Sequence, residues 1–130
     1  MVDADRRVRD GMAGLLGCDG RVELVGSAAH VDAALALCGA TQPDAVIIDP
    51  RLPEATDGLA LIERLRATRP GLRFLVLAWS SAVERALGGD PRVAVVSASA
   101  GTDDLVAMVL DVLAVPAGPS EADARIRECA

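Results

Sequence analysis

Four short apolar runs, each followed by polar or turn-forming residues, organise this chain. They are VELVGS (22–27), AVIID (45–49), RFLVLA (73–78) and VAVVS (93–97). Their apolar character is nearly continuous, the pattern of strands covered on both faces in a parallel sheet. Between them, apolar residues recur at helical spacing. Val8, Met12, Leu15 and Leu16 share one helical face, Val31, Ala34, Leu35 and Cys38 a second, and Leu59, Ile62 and Leu65 a third. Leu105, Val109, Leu110 and Val112 form the last stripe, with Thr102 as its predicted N-cap. The segment SSAVERALGG (80–89) leaves room for about two helical turns before its glycines. Alternating strands and helices predict a doubly wound α/β sheet.

Two regions are thin. The first strand is represented by Met1 and Val2 alone, whereas about five residues are usual. Either the native start lies upstream or the sheet has a stunted strand near its middle. After Val115 the composition changes to PAGPSEADARIRECA (116–130), in which Ser120 and Asp123 would cap a short helix. The expected organisation is one domain over 1–114 and a linker or tail over 115–130, with no internal repeat.

Composition narrows the function classes. At 130 residues and 52% hydrophobic content the chain can bury a core, yet no apolar run approaches a membrane span. No charged-then-apolar signal segment opens it, so a cytoplasmic location is expected. Cys18, Cys38 and Cys129 have no metal-ligand spacing and read as reduced thiols. The net charge of −6 argues against nucleic-acid binding by this chain. All 13 basic residues are arginine, and Phe74 and Trp79 are the only aromatics.

Asp49 ends the apolar run 45–49, and Pro50 and Pro53 stop the strand from continuing. Functional groups in open α/β sheets gather at the carboxyl ends of strands. Asp3 and Asp5 follow the first strand, so parallel strands would bring these carboxylates into one crevice. Clustered carboxylates repel each other unless a cation or proton intervenes. The plainer alternative is that Asp49 caps its own loop in an Asx turn.

Three segments carry a family resemblance: VDADRRVRDGMAGLL (2–16), VELVGSAAHVDAALAL (22–37) and PDAVIIDPRLPEATDGLALIERLR (43–66). The chain resembles the CheY-like receiver domain of bacterial response regulators, especially those joined to a helix-turn-helix output domain. The D-x-x-L-P element followed by an aspartate–glycine pair is the most specific part. The resemblance implies a flavodoxin-like, five-stranded parallel sheet in the order 2-1-3-4-5. It makes Asp49 the position that accepts phosphate from a histidine kinase, with Mg²⁺ held by Asp3, Asp49 and the backbone carbonyl of Arg51.

The family pattern is broken at several of its functional positions. Ala4 stands where the family has a second acid, and Ala78 where a Thr or Ser contacts the phosphoryl group. Ser97 replaces the lysine, and Ala94 the aromatic that moves with the Thr. The Pro53–Gly58 loop is one residue longer than usual. A phosphoaspartate carries roughly two negative charges, and two unit charges ~4 Å apart interact by ~4 kcal/mol at an effective dielectric near ~20. Losing the lysine and an acid therefore removes much of what would stabilise a phosphoryl group, and Ala78 with Ala94 removes the two-state coupling to the surface. A slip of the first turn would bring Asp5 to the metal instead.

Other constellations read more plainly. Gly11, Gly14, Gly17 and Gly20 lack the lysine of a phosphate-binding loop and read as small packing residues and a helix C-cap. His30 reads as a solvated turn residue. Trp79 reads either as core or, with Ser80, as the lining of a crevice at the strand ends, open to a small ligand. Val93, Val95, Val106 and Val109 lie on elements that form the output and dimer face of receivers, although core packing explains much of their apolar content.

The leading expectation is a non-enzymatic pseudo-receiver in a two-component-type system, with Mg²⁺ binding weakened and Asp49 phosphorylation weak or absent. It would act through protein contact with a kinase, an output protein or a second copy of itself. The alternatives are a conventional phosphoaccepting receiver and a small-molecule-binding domain using the crevice near Trp79. No arrangement of Ser, Cys, His and acid points to hydrolytic catalysis.

Overall fold

The computed structural model describes residues 1–18, 20–52, 54–78, 80–97 and 102–114, without the side chains of 55 and 102–105. In chain order its elements are α1 (Arg6–Gly17), α2 (Val31–Thr41), β1 (Ala45–Ile48), α3 (Ala55–Thr68), β2 (Arg73–Ala78), α4 (Ser81–Leu87), β3 (Val93–Ser97) and α5 (Thr102–Ala114). Thr102 is the first residue of α5 rather than the cap before it. Residues 115–130, predicted as a tail, lie outside the described residues, as does Trp79.

The three strands form a parallel sheet in the order β1-β2-β3. Ile48 is level with Val76, and Ala78 with Ser97. On the open side of β1, Val2 makes one parallel bridge to Ile48 and another to Ala28. Taking the segments at Ala28 and Val2 as the second and first strands, the spatial order is the expected 2-1-3-4-5.

Three of the five expected strands form in full among the described residues, and the positions of the first, already short in the sequence, and of the second are held by bridges. The run 22–27 contains no extended strand; Glu23 within it and Ala28 just after it are bridge residues, Ala28 pairing with Val2. Residues 1–3 supply the central connection through four backbone hydrogen bonds: Val2 N–H to Ile47 O (2.7 Å), Asp49 N–H to Val2 O (2.9 Å), Asp3 N–H to Ala28 O (3.1 Å) and Ala28 N–H to Met1 O (2.9 Å). The chain then leaves the sheet because Asp5 caps α1, its Oδ1 accepting from Arg7 N–H at 2.9 Å. That cap ends the pairing of this segment on the carboxyl side of Asp3.

The continuous apolar runs follow from burial on both faces. Val46, Ile48, Phe74, Val76 and Ala78 face a cluster with residues of α2, α3 and α4. The alternate residues Ile47, Leu75 and Val96 pack against Met12, Leu16, Val109 and Val112 of α1 and α5. Strand side chains alternate between faces, so a sheet with a core on each side has no polar face to show. Val109 is thus core, and Val93 and Val95 pack half-buried against the first cluster.

The glycine reading fails in both of its parts. A Cβ placed on Gly11, Gly14, Gly17 or Gly20 would meet nothing within 4 Å, so none is a packing residue. The C-cap of α1 is Cys18, in ordinary right-handed conformation. His30 is exposed and caps α2, its Nδ1 accepting from Ala33 N–H at 3.2 Å.

Candidate functional site at the carboxyl ends of the strands

Strand register brings most of the candidate residues to one edge. Asp49 follows β1, Ala78 closes β2 and Ser97 closes β3 beside it. Asp3 follows the Val2 bridge to Ile48, so it emerges next to Asp49. Both carboxylate residues are only 4% exposed. Ala4 is exposed, Ala78 buried and Ser97 exposed. Ala94 is half-buried with the α1/α5 cluster, and Ser80 is the exposed N-cap of α4.

Local interactions hold the two acids. Asp3 Oδ1 accepts from Asp5 N–H at 2.8 Å. Arg9 Nη1 donates to the carbonyls of Asp3 (2.8 Å) and Ala4 (3.2 Å), tying that turn to α1. Asp5 Oδ1 accepts from Arg7 N–H as the cap of α1. On the other side, Asp49 Oδ1 accepts from Arg51 N–H at 3.0 Å, which is the Asx-type turn expected as the plainer alternative.

The loop after Asp49 is fastened by α3. Asp57 Oδ2 accepts from Glu54 N–H at 3.3 Å at the start of that helix. One residue on, Gly58 lies so close to the Pro50 backbone that a Cβ would overlap Pro50 O, Cα and C. The aspartate–glycine pair therefore does two jobs: Asp57 caps α3, and Gly58 lets its first turn seat against the residue following Asp49.

The structure adds a group that sequence reasoning used only for its carbonyl. The Arg51 side chain forks onto Asp49, with Nε to Oδ1 at 3.2 Å and Nη2 to Oδ2 at 2.9 Å. Bidentate guanidinium–carboxylate pairs are among the stronger charge-assisted hydrogen bonds. The fork was concealed because a D-x-R spacing fixes neither rotamer nor direction; only the turn at Pro50 folds the guanidinium back. The Arg51 side chain is 49% exposed, while that of Asp49 is 6% exposed.

Charge sets the chemistry of this edge. Burial pushes the Asp3 carboxyl above its ordinary range. The Asp5 N–H pulls it down, the charges of Asp49 and Asp5 push it up, and Arg51 pulls it down. The hydrogen bond to Asp49 raises the Arg51 pKa, keeping the guanidinium charged. Two neighbouring carboxylates fit Mg²⁺, which is commonly held by one or two protein carboxylates and keeps several waters. Asp3 and Asp49 would hold it, and Ala4 provides no third acid. Among the described residues no group of three or more His, Cys, Asp and Glu is placed to bind a metal.

Comparison with known proteins points the same way. The family profile described as "Response regulator receiver domain" matches residues 1–106. The DNA-binding transcriptional activator DevR/DosR of Mycobacterium tuberculosis (strain ATCC 25618 / H37Rv) is 39% identical over 77 residues, covering 59% of this chain and 35% of that protein. This chain thus spans about a third of the length of the curated relative it matches. The signal receiver domain of the response regulator NarL from M. tuberculosis superposes with a TM-score of 0.71 at 28% identity, over 85% of this chain and 90% of that one. NtrX from Brucella abortus gives 0.69 at 26% identity, over 85% of this chain and 24% of that one.

Proposed function

Because the chain belongs to the response-regulator receiver family, we propose that it is a receiver-like signalling module in which phosphorylation of Asp49 is weak or absent and protein contact carries the signal. Receiver domains are signalling modules of two-component systems, and they bind Mg²⁺ at the phosphorylation site. One observation carries the finer reading: the Asp3–Asp49 pair is flanked by Ala4, Ala78 and Ser97, in a chain without lysine. A phosphoryl group on Asp49 would find no ammonium to offset its charge and no hydroxyl at Ala78 to donate to its oxygens. Its partner is a histidine kinase or an output protein, and a cytoplasmic location is part of the proposal.

The conventional reading has support of its own, since Asp3 and Asp49 emerge side by side and Mg²⁺ is commonly held by one or two carboxylates. Intact-mass measurement after treatment with acetyl phosphate and Mg²⁺ separates the two. The proposal expects the mass to remain that of the unmodified protein. A stable gain of one phosphoryl group, lost in Asp49→Asn, would establish the conventional receiver instead.

A further inference from the structure

We propose that Arg51 is a tethered counter-cation that competes with divalent metal for the Asp49 carboxylate. The inference rests on the reading of Asp49 as the phosphoacceptor position and concerns how access to that position is controlled.

Both oxygens of Asp49 are engaged by one side chain, at 3.2 and 2.9 Å, and Oδ1 takes the Arg51 N–H as well. These are the same lone pairs that a metal ion or an electrophilic phosphorus must reach. A cation attached two residues away is present at high effective concentration, whereas Mg²⁺ must displace it and shed water to bind. The opposing charge matters here because Asp3 and Asp49 lie together in a largely buried edge with no lysine near them. Arg51 supplies the local positive charge from the loop instead of from β3.

The geometry also allows release. Half of the Arg51 side chain is exposed, so the guanidinium can leave for solvent without opening the core. The Arg51 N–H bond to Asp49 Oδ1 belongs to the backbone turn and stays in place when the side chain departs. The carboxylate therefore has a closed state, forked by Arg51, and an open one that retains its orientation. A partner presenting an acidic group to Arg51 would favour the open state.

The test is a Mg²⁺ titration of the full chain followed by amide chemical shifts, with thermal stability as a second readout. Wild type, Arg51→Ala, Arg51→Gln and the double variant Arg51→Ala/Asp49→Asn are compared. Neither single substitution leaves a core cavity, and Arg51→Gln keeps most of the stem. Removing the fork is expected to tighten Mg²⁺ binding at least tenfold in both single variants, and the double variant should lose it. An affinity unchanged by both substitutions, or too weak to detect in every protein, overturns the proposal. Acetyl-phosphate labelling of wild type would overturn the weak-phosphorylation reading alone, because the competition is measured by metal binding without any phosphodonor.

Discussion

Gly58 in the first turn of α3 rests directly on the backbone of Pro50, the residue after Asp49. The contact couples the helix start to the loop that orients Asp49. Any side chain at 58 would need the space that Pro50 occupies.

Replacing Gly58 with alanine should therefore be costly, although alanine favours helix. The overlap is with backbone atoms, which cannot rotate away. A loss of about 2–3 kcal/mol is expected from such overpacking, measured by urea unfolding. A variant as stable as wild type would show that the helix start can shift off Pro50.

The glycines of α1 should behave in the opposite way. Gly11 and Gly14 are exposed within the helix and have open space where a Cβ would sit. Each change to alanine should stabilise the protein by about 0.5–1 kcal/mol, by lowering the entropy lost on folding. Thermal melts of the single and double variants check this, and any loss of stability would reveal a packing role for this face.

Asp90 should give a pH signature. Its carboxylate accepts from Arg66 Nη2 at 2.7 Å and from Arg92 N–H at 2.9 Å. Burial acts to raise its pKa, but the hydrogen bonds and charges of Arg92 and the charge of Arg66 prevail and lower it below the ordinary 3.8. An acid with a depressed folded pKa contributes stability above its unfolded pKa and loses it as pH falls through the folded one. Asp90→Asn should cost about 1 kcal/mol at pH 7, and the difference from wild type should shrink below about pH 4. A cost that is constant from pH 7 to pH 3 would mean that the ion pairs contribute nothing.

Restoring the family's groups should restore its chemistry. Ala4 and Ser97 are exposed, so Ala4→Asp and Ser97→Lys add side chains without crowding the core. Ala78 is buried in the cluster that includes Val83 and Leu87, so Ala78→Thr should cost about 1 kcal/mol or more. The triple variant is expected to gain Mg²⁺-dependent beryllofluoride binding, seen by fluorine NMR and lost when Asp49→Asn is added. Ser97→Lys alone should achieve little, because metal, hydroxyl and ammonium act on one group and their effects are coupled. Full binding by that single variant would show that the lysine was the only missing part.

The sequence by itself determined the layer order and the strand edge that holds the site. Continuous Val- and Ile-rich runs require two covered faces, and helical stripes between them require crossover helices. Those patterns are local, so AVIID, RFLVLA and VAVVS declare themselves in the order of residues alone. The D-x-x-L-P and aspartate–glycine spacing, with Ala4, Ala78 and Ser97 where other groups are expected, is equally legible because it is a matter of residue identity at fixed positions. Tertiary structure alone decided the rest. How much of residues 22–27 pairs is set by their neighbours in the sheet and not by their own apolar pattern, and the parallel bridge to Val2 falls at Ala28, just past the run. A side chain has room at Gly14 and none at Gly58 because of what lies opposite each: open space in one case, the Pro50 backbone in the other. The Arg51 fork needs a turn to fold its side chain onto a carboxylate two residues back. Spacing places two charges near each other along the chain, but only the fold gives them a common direction.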